Sequence, residues 1–278
     1  MGEEFKFSVL MSVYKNDKAD EVENAIASLL MQTVLPSQIV IVQDGSLSRE
    51  VDNLLQEYRK NAELFTFVEL KENVGLGNAL NIGLNYCNYE YVARMDSDDF
   101  SLPDRFEKQM SYLKLHPEVD VLGGYIEEYD ERLEKSLAIR QVPISLKEIR
   151  KVMKTRNGMN HVTVIYKKSK VMEAGNYKDC LYFEDYYLWC RMLKEGMIFH
   201  NLDDILVNVR TGNEMYKRRG GMTYSKSIIN FEKKIQKINY INIYEYWKNI
   251  TIRLIVSNMP NGFRSIIYKK KLRKQEKV

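Results

Sequence analysis

Asp96, Asp98 and Asp99 put three carboxylates within four residues, with Ser97 between the first two. Carboxylates this close repel one another unless a cation sits among them. Oxygen ligands of this kind suit a hard divalent ion, Mg²⁺ or Mn²⁺, which could also grip a diphosphate. The alternative is a solvated acidic turn capping the helix that follows. A second carboxylate centre, Glu184-Asp185, lies much further along the chain. On a helix, Asp185 and Trp189 are four apart and share one face. An acid beside an aromatic platform suits a sugar, which stacks on the ring while the carboxylate takes a hydroxyl proton. A capping acid beside a core tryptophan would leave the same pattern. Asp44-Gly45-Ser46 offers an acceptor for a base or ribose, or else a helix N-terminal turn. Asn73-Val74-Gly75-Leu76-Gly77-Asn78 reads as a tight turn whose glycines let the backbone approach a ligand. It is no dinucleotide fingerprint, because Leu80 stands where GxGxxG needs its last glycine, and no GxxxxGK[ST] loop occurs. Both absences weaken dehydrogenase and NTPase readings.

The elements that must position these residues alternate in type. Phe7–Tyr14, Gln38–Val42, Phe65–Leu70 and Tyr91–Met95 read as buried strands. Between them fall helical patterns over Ala19–Met31, through Val51, Leu54, Leu55 and Tyr58, and over Ala79–Tyr86. This alternation predicts βαβ units and a parallel sheet, with ligands at the carboxyl ends of the strands. Asp17, Asp44, Asn73 and the 96–99 turn all fall at those ends. Further on, the spacing predicts a helix over Pro103–Leu115, opened by proline, and a strand at Val119–Tyr125. It also predicts a helix over Leu146–Lys154 and a strand at Val162–Tyr166. From Phe183 an apolar-periodic stretch runs through Leu188, Trp189, Met192 and Leu193 to Gly196.

At 278 residues the chain makes one large domain or two small ones, and 45% hydrophobic with 29% charged residues excludes disordered and fibrous classes. Cys87, Cys180 and Cys190 form no CxxC pair, and no apolar run is long enough to span a bilayer. The charged Met1–Phe7 opening lacks a signal-peptide core, so the expected location is the cytoplasm. Residues 210–278 hold 17 Lys and Arg against 4 Asp and Glu, whereas residues 1–209 hold 25 against 34. A basic tail on an acidic body meets something anionic. Trp247, Ile250, Ile252, Leu254, Ile255, Phe263, Ile266, Ile267 and Tyr268 precede KKKLRK (269–274), a pattern that suits an anionic membrane surface. No nucleic-acid recognition motif accompanies the charge, so nucleic acid is not expected as a partner. Packing of this helical surface on the body or on a second subunit is the alternative, which leaves homo-oligomerisation open.

Taken together, SVYKND (12–17), QDGS (43–46), ENVGLGNALNIGL (72–84), ARMDSDD (93–99), PDRFEKQ (103–109) and YFEDYYLW (182–189) resemble the family 2 glycosyltransferases. The likeness is to bacterial enzymes of capsule, exopolysaccharide or lipopolysaccharide synthesis. It implies an α/β GT-A fold over 1–209, followed by a basic helical region over 210–278. Within that domain, 1–100 would be a Rossmann-like nucleotide-binding half with a mostly parallel sheet, and 101–209 the acceptor half. It implies an inverting transfer of one sugar from a nucleotide sugar, UDP-linked as first choice, to a glycan or lipid-linked acceptor at the cytoplasmic face of a membrane. Asp98, with Asp96, would hold Mn²⁺ or Mg²⁺ at a DXD motif, and Asp185 would be the base. Val13, Tyr14, Asp44, Asn73, Arg94, Asp96 and Ser97 fall on the nucleotide side; Glu184, Trp189 and His161 fall on the acceptor side. Leu80 departs from the family's usual arginine, so a positive contact to the nucleotide passes to Arg94 or Lys71. The QxxRW motif of processive enzymes is missing after Asp185, which implies a single addition. Arg210 and the 217–221 stretch would close over the diphosphate. A dTDP-rhamnose donor, or a catalytically silent nucleotide-binding scaffold, are the competing readings.

Overall fold

The computed structural model describes residues 5–211 and 221–259. Its first half is a parallel sheet in the order β3-β2-β1-β4, formed by β1 (Phe7–Tyr14), β2 (Gln38–Asp44), β3 (Phe65–Glu69) and β4 (Tyr91–Met95). Every residue of β2 is buried, as expected of a parallel strand covered on both faces. The period-2 pleat divides the apolar residues. Val9, Met11, Ile39 and Ile41 join one core with α1 (Ala19–Leu30) and α2 (Arg49–Arg59). Leu10, Val40 and Val42 join another with α3 (Leu76–Asn85). Gly83 permits the close seat of α3, since a Cβ there would stand 2.4 Å from Val42 Cγ2. The chain runs outward from β1 to β3 and then returns to β4 on the other side of β1. A crevice therefore opens between the carboxyl ends of β1 and β4.

The sheet continues beyond β4 with mixed direction, reaching nine strands among the described residues. The added strands are β5 (Phe100–Ser101), β6 (Val121–Tyr129), β7 (Ser136–Arg140), β8 (Ile165–Lys167) and β9 (Phe199–Arg210). Strand β8 runs antiparallel to both β4 and β6, while β6 and β9 are parallel. The sequence does not announce β9, because Asn201, Asp203 and Asp204 interrupt its apolar run and its pairing with β6 shifts register near Tyr125. The strand expected over 162–166 divides: His161–Thr163 is a 3₁₀ turn, and β8 starts only at Ile165. The Thr163 hydroxyl donates to the Asn160 carbonyl at 2.8 Å and accepts the Gly124 N–H at 3.1 Å, which favours a turn over a strand. Helix α4 (Arg105–Leu115) starts two residues past Pro103, whose carbonyl accepts the Thr33 N–H instead.

The remaining helices are α5 (Leu146–Val152), α6 (Lys168–Glu173), α7 (Glu184–Lys194), α8 (Gly221–Lys237) and α9 (Ile243–Ser257). Helices α8 and α9 are the described part of the basic tail, and they pack on the body. Phe231 of α8 stacks on Phe183 at 4.8 Å and lies 4.5 Å from the Tyr186 ring. Arg253 of α9 pairs with the fully buried Glu232 of α8 at 2.9 Å. The 217–220 stretch and the segment from Phe263 through KKKLRK lie outside the described residues.

Candidate active site

The strand register aligns the residues expected to meet a nucleotide. Tyr14 stands beside Asp44 at the paired ends of β1 and β2, and Met95 ends β4 one residue before the acidic turn. Asp17 fastens the β1–β4 crevice: its carboxylate accepts the Tyr14 N–H at 3.0 Å and the Ser97 hydroxyl at 2.8 Å. Ser97, expected to face a nucleotide, thus donates its hydroxyl hydrogen bond to Asp17. Burial pushes the Asp17 carboxyl up to about 6, against the two hydrogen bonds and with help from Asp96. The two oxygens of Asp44 accept the N–H groups of Val74 at 2.7 Å and Gly75 at 3.1 Å, and the Asn73 side-chain amide donates a hydrogen bond to the Asp44 carbonyl at 3.2 Å. The end of β2 and the glycine turn are therefore locked together. Gly45, at φ 82°, permits this, because a Cβ there would lie 2.6 Å from Asn73 N. Val13 is wholly buried in the core and presents no surface to a ligand.

Arg94 corrects an expectation. Its side chain is 1% exposed and ion-paired with Asp96 beneath the acidic turn. It acts as a buried counter-ion, not as an open contact for a nucleotide. Arg210, at the end of β9, clamps the same turn from outside. Its backbone N–H meets Asp99 at 2.9 Å, its Nε meets the Asp98 carbonyl at 2.7 Å, and a further N–H meets the Glu131 carbonyl at 2.9 Å. Arg210 therefore holds the turn directly.

Asp98 is exposed, yet the surrounding protein, and then Asp96 and Asp17, push its carboxyl up to about 7. A cation beside it would reverse that penalty. Among the described residues no three His, Cys, Asp or Glu side chains make a self-sufficient metal cage. Two carboxylates at a strand end suit instead an ion that completes its shell with phosphate oxygens and water, as Mg²⁺ commonly does. The residues present fit that group.

A cleft of about 430 Å³ joins the turn to the second carboxylate centre, lined by Asp96 and Asp99 and by Asp185 and His161. Asp185 accepts the Asn157 amide at 2.7 Å. Burial raises its carboxyl above the ordinary range, although the Tyr186 N–H, Asn157, Arg140 and Arg94 all pull it down. The His161 Nε2 lies 2.9 Å from the Tyr177 hydroxyl, and burial together with Arg94 holds the imidazole neutral at pH 7. Glu184 is not among the cleft-lining residues; it lies over Gly77 of α3, where a Cβ would approach its Cγ to 2.7 Å. Burial pushes its carboxyl up to about 7, with Asp185 adding to the shift.

Trp189 corrects a second expectation. It is fully buried, packed edge-on against Phe199 at 5.8 Å and His161 at 6.0 Å, so no sugar can stack on it. Phe183 and Tyr186 also line the cleft but are buried, so its accessible aromatic surface is Tyr182 with Tyr224, their rings 5.4 Å apart. Tyr182 holds φ at 69°, the left-handed region, directly before α7. Sequence reasoning missed Tyr182, Asn157, Tyr224 and the cleft arginines Arg140, Arg156 and Arg253. The only signal for Tyr182 was its place beside the Glu184-Asp185 pair.

Residues 8–175 match the family model for glycosyl transferase family 2. The chain is 37% identical over 264 residues to the amylovoran biosynthesis glycosyltransferase AmsE of Erwinia amylovora, covering 95% of this chain and 98% of the relative. It is 35% identical over 269 residues to the UDP-Gal:alpha-D-GlcNAc-diphosphoundecaprenol beta-1,3-galactosyltransferase of Escherichia coli, covering 97% of each. Among solved structures, the complex of S. aureus TarS with UDP-GlcNAc superposes with a TM-score of 0.64 at 18% identity, covering 96% of this chain and 76% of that one.

Proposed function

The chain belongs to glycosyl transferase family 2 and is a glycosyltransferase of the GT-A fold, and from that premise we propose that it moves one sugar from a UDP-sugar to a lipid-linked saccharide in bacterial surface-polysaccharide synthesis. The observation that carries this reading is the single cleft that holds the Asp96–Asp99 turn and Asp185 together. The relative named as a UDP-Gal transferase acting on a diphosphoundecaprenol acceptor supports the donor and acceptor classes. Tyr14, Asn73 and the Asp44-anchored turn shape the nucleotide side. Asp98 and Asp96 would hold Mn²⁺ or Mg²⁺, which when bound would offset the charge of the departing diphosphate.

Asp185 takes the proton of the acceptor hydroxyl as that oxygen bonds to the anomeric carbon, whose bond to the phosphate oxygen breaks from the opposite face. The anomeric centre inverts and UDP leaves. Asn157 holds Asp185 in place through its amide, and Arg94 steadies the turn from below.

The test is a thermal-shift panel of UDP, GDP, dTDP and CMP, each with and without Mn²⁺. UDP with Mn²⁺ is expected to stabilise the protein by ~2.7 kcal/mol at a hundredfold excess over its dissociation constant. Asp98→Ala is expected to lose that shift. A shift with dTDP alone redirects the donor toward rhamnose, and no shift with any nucleotide overturns the site.

We propose further that the enzyme sits at the cytoplasmic face of a membrane through α9. Tyr244, Trp247 and Ile255 are 72%, 60% and 54% exposed along one side of this helix, while Asn249 and Ile250 are buried. Among the described residues no helix is long and apolar enough to cross a membrane, so α9 would lie in the interface. Trp247→Ser is expected to weaken binding to anionic vesicles at least tenfold, from ~1.5–3 kcal/mol of lost apolar burial. Unchanged sedimentation with vesicles removes α9 from the contact.

A further inference from the structure

Three arginines line the cleft that holds Asp185. Arg140 ends β7, Arg156 follows α5, and Arg253 sits on α9, yet all three line the same space. The acids that share this cleft are Asp96, Asp99, Glu128 and Asp185. Two of the arginines are already engaged. Arg253 pairs with Glu232, donates to the Thr155 carbonyl at 2.9 Å and lies over the Phe183, Tyr186 and Phe231 rings. Arg140 also has interactions of its own. Arg156 differs: one of its terminal nitrogens is buried, and among the described residues it finds no hydrogen-bond partner there and no ion pair. Removing a guanidinium donor from water without a partner is costly, and an oxyanion entering the cleft would supply one.

We propose that Arg156, flanked by Arg253 and Arg140, binds the diphosphate of the acceptor and so presents the acceptor sugar to Asp185. This rests on the glycosyltransferase reading above and extends it to a subsite. One contact places the anion on the acceptor side and not with the donor. Arg156 adjoins Asn157, whose amide holds Asp185, so the cation stands beside the base. In that reading the donor diphosphate belongs with Asp98 and Asp96.

Helix α9 supplies the second argument. Tyr244, Trp247 and Ile255 recur at spacings of three and eight, which puts them on one stripe. Arg253, two residues before Ile255, falls on the opposite side of the helix and reaches the cleft. One helix thus carries an apolar face for a lipid and a cation for the group that joins lipid to sugar. The planar fork of arginine matches paired phosphate oxygens.

The experiment uses the full chain saturated with UDP and Mn²⁺, titrated with geranyl diphosphate and, separately, with geraniol. Geranyl diphosphate is expected to bind at least tenfold tighter than geraniol. Arg156→Gln is expected to weaken the diphosphate ten- to a hundredfold and leave the affinity for UDP unchanged. Arg156→Lys, which keeps the charge and loses the fork, is expected to fall between, and serves if the glutamine variant does not fold. Equal binding of the two probes, or unaltered diphosphate affinity in Arg156→Gln, overturns the proposal. So does an equal loss for UDP, which would move Arg156 to the donor. The UDP shift tests the underlying reading by itself, so the two fail separately.

Discussion

Asp185→Asn is expected to lower sugar transfer by about 10²–10⁴-fold, the range for removing a general base, and to leave the UDP-dependent thermal shift intact. The substitution keeps the shape of the side chain. Asn157 can still donate its amide to the new carbonyl oxygen, so the loop that holds the cleft stays in place. What is lost is the carboxylate's charge and, with it, the ability to accept a proton. The pH profile gives an independent reading. Burial raises the Asp185 carboxyl despite the opposing pull of the Tyr186 N–H, Asn157 and Arg140. A base works only when ionised, so the rate falls as pH drops through that raised pKa, and the acid limb lies above the ordinary aspartate range. The residual activity of the variant should lack this limb. His161 is the competing base, because it lines the same cleft. Its imidazole is held below its ordinary value by burial and Arg94. If His161→Gln carries the loss while Asp185→Asn stays within threefold of the parent, the base has been misassigned.

The parts of this site that were legible in the sequence are those fixed by local pattern. Strands β1 to β4 are short apolar runs closed by polar turns, and their carboxyl ends place Asp44 and the 96–99 turn without knowledge of distant contacts. The acceptor half was less legible, because its geometry depends on pairing between β6 and β9, far apart in sequence and irregular in register. Asn157 and Arg156 lie in a loop between α5 and the 3₁₀ turn, and no local periodicity says that this loop reaches Asp185. Arg253 was read as one charge among many in a basic tail. Its true setting needs Glu232 and three aromatic rings that only the folded helices bring together. Arg94 shows the reverse case. Its place on a buried strand already allowed a structural ion pair, and the pair with Asp96 decides the matter.

Trp189→Ala is expected to destabilise the fold by about 3–5 kcal/mol, a large share of the roughly 5–15 kcal/mol that holds a typical domain together. The reason lies in how α7 is buried. From Tyr186 to Leu193 every residue of this helix is buried, so it is enclosed on all sides. Asp185 reaches the cleft because it stands in the first turn; Trp189, one turn deeper on the same side, is already sealed beneath it. Its ring fills the space between Tyr166, Phe199 and His161. Truncation leaves a cavity directly behind a cleft residue, and the surrounding side chains can relax only in part. The melting temperature should fall by on the order of 10 °C. Trp189→Phe, which keeps a ring in the cavity, should recover much of the loss. The two readings of Trp189 then separate on KM. A buried support leaves the acceptor KM of the phenylalanine variant near the parent value at a temperature where both are folded. A stacking platform would raise it while leaving stability unchanged. The same assay on Tyr182→Ala should show the opposite pattern, with a raised acceptor KM and little change in melting, because that ring is 40% exposed and lines the cleft.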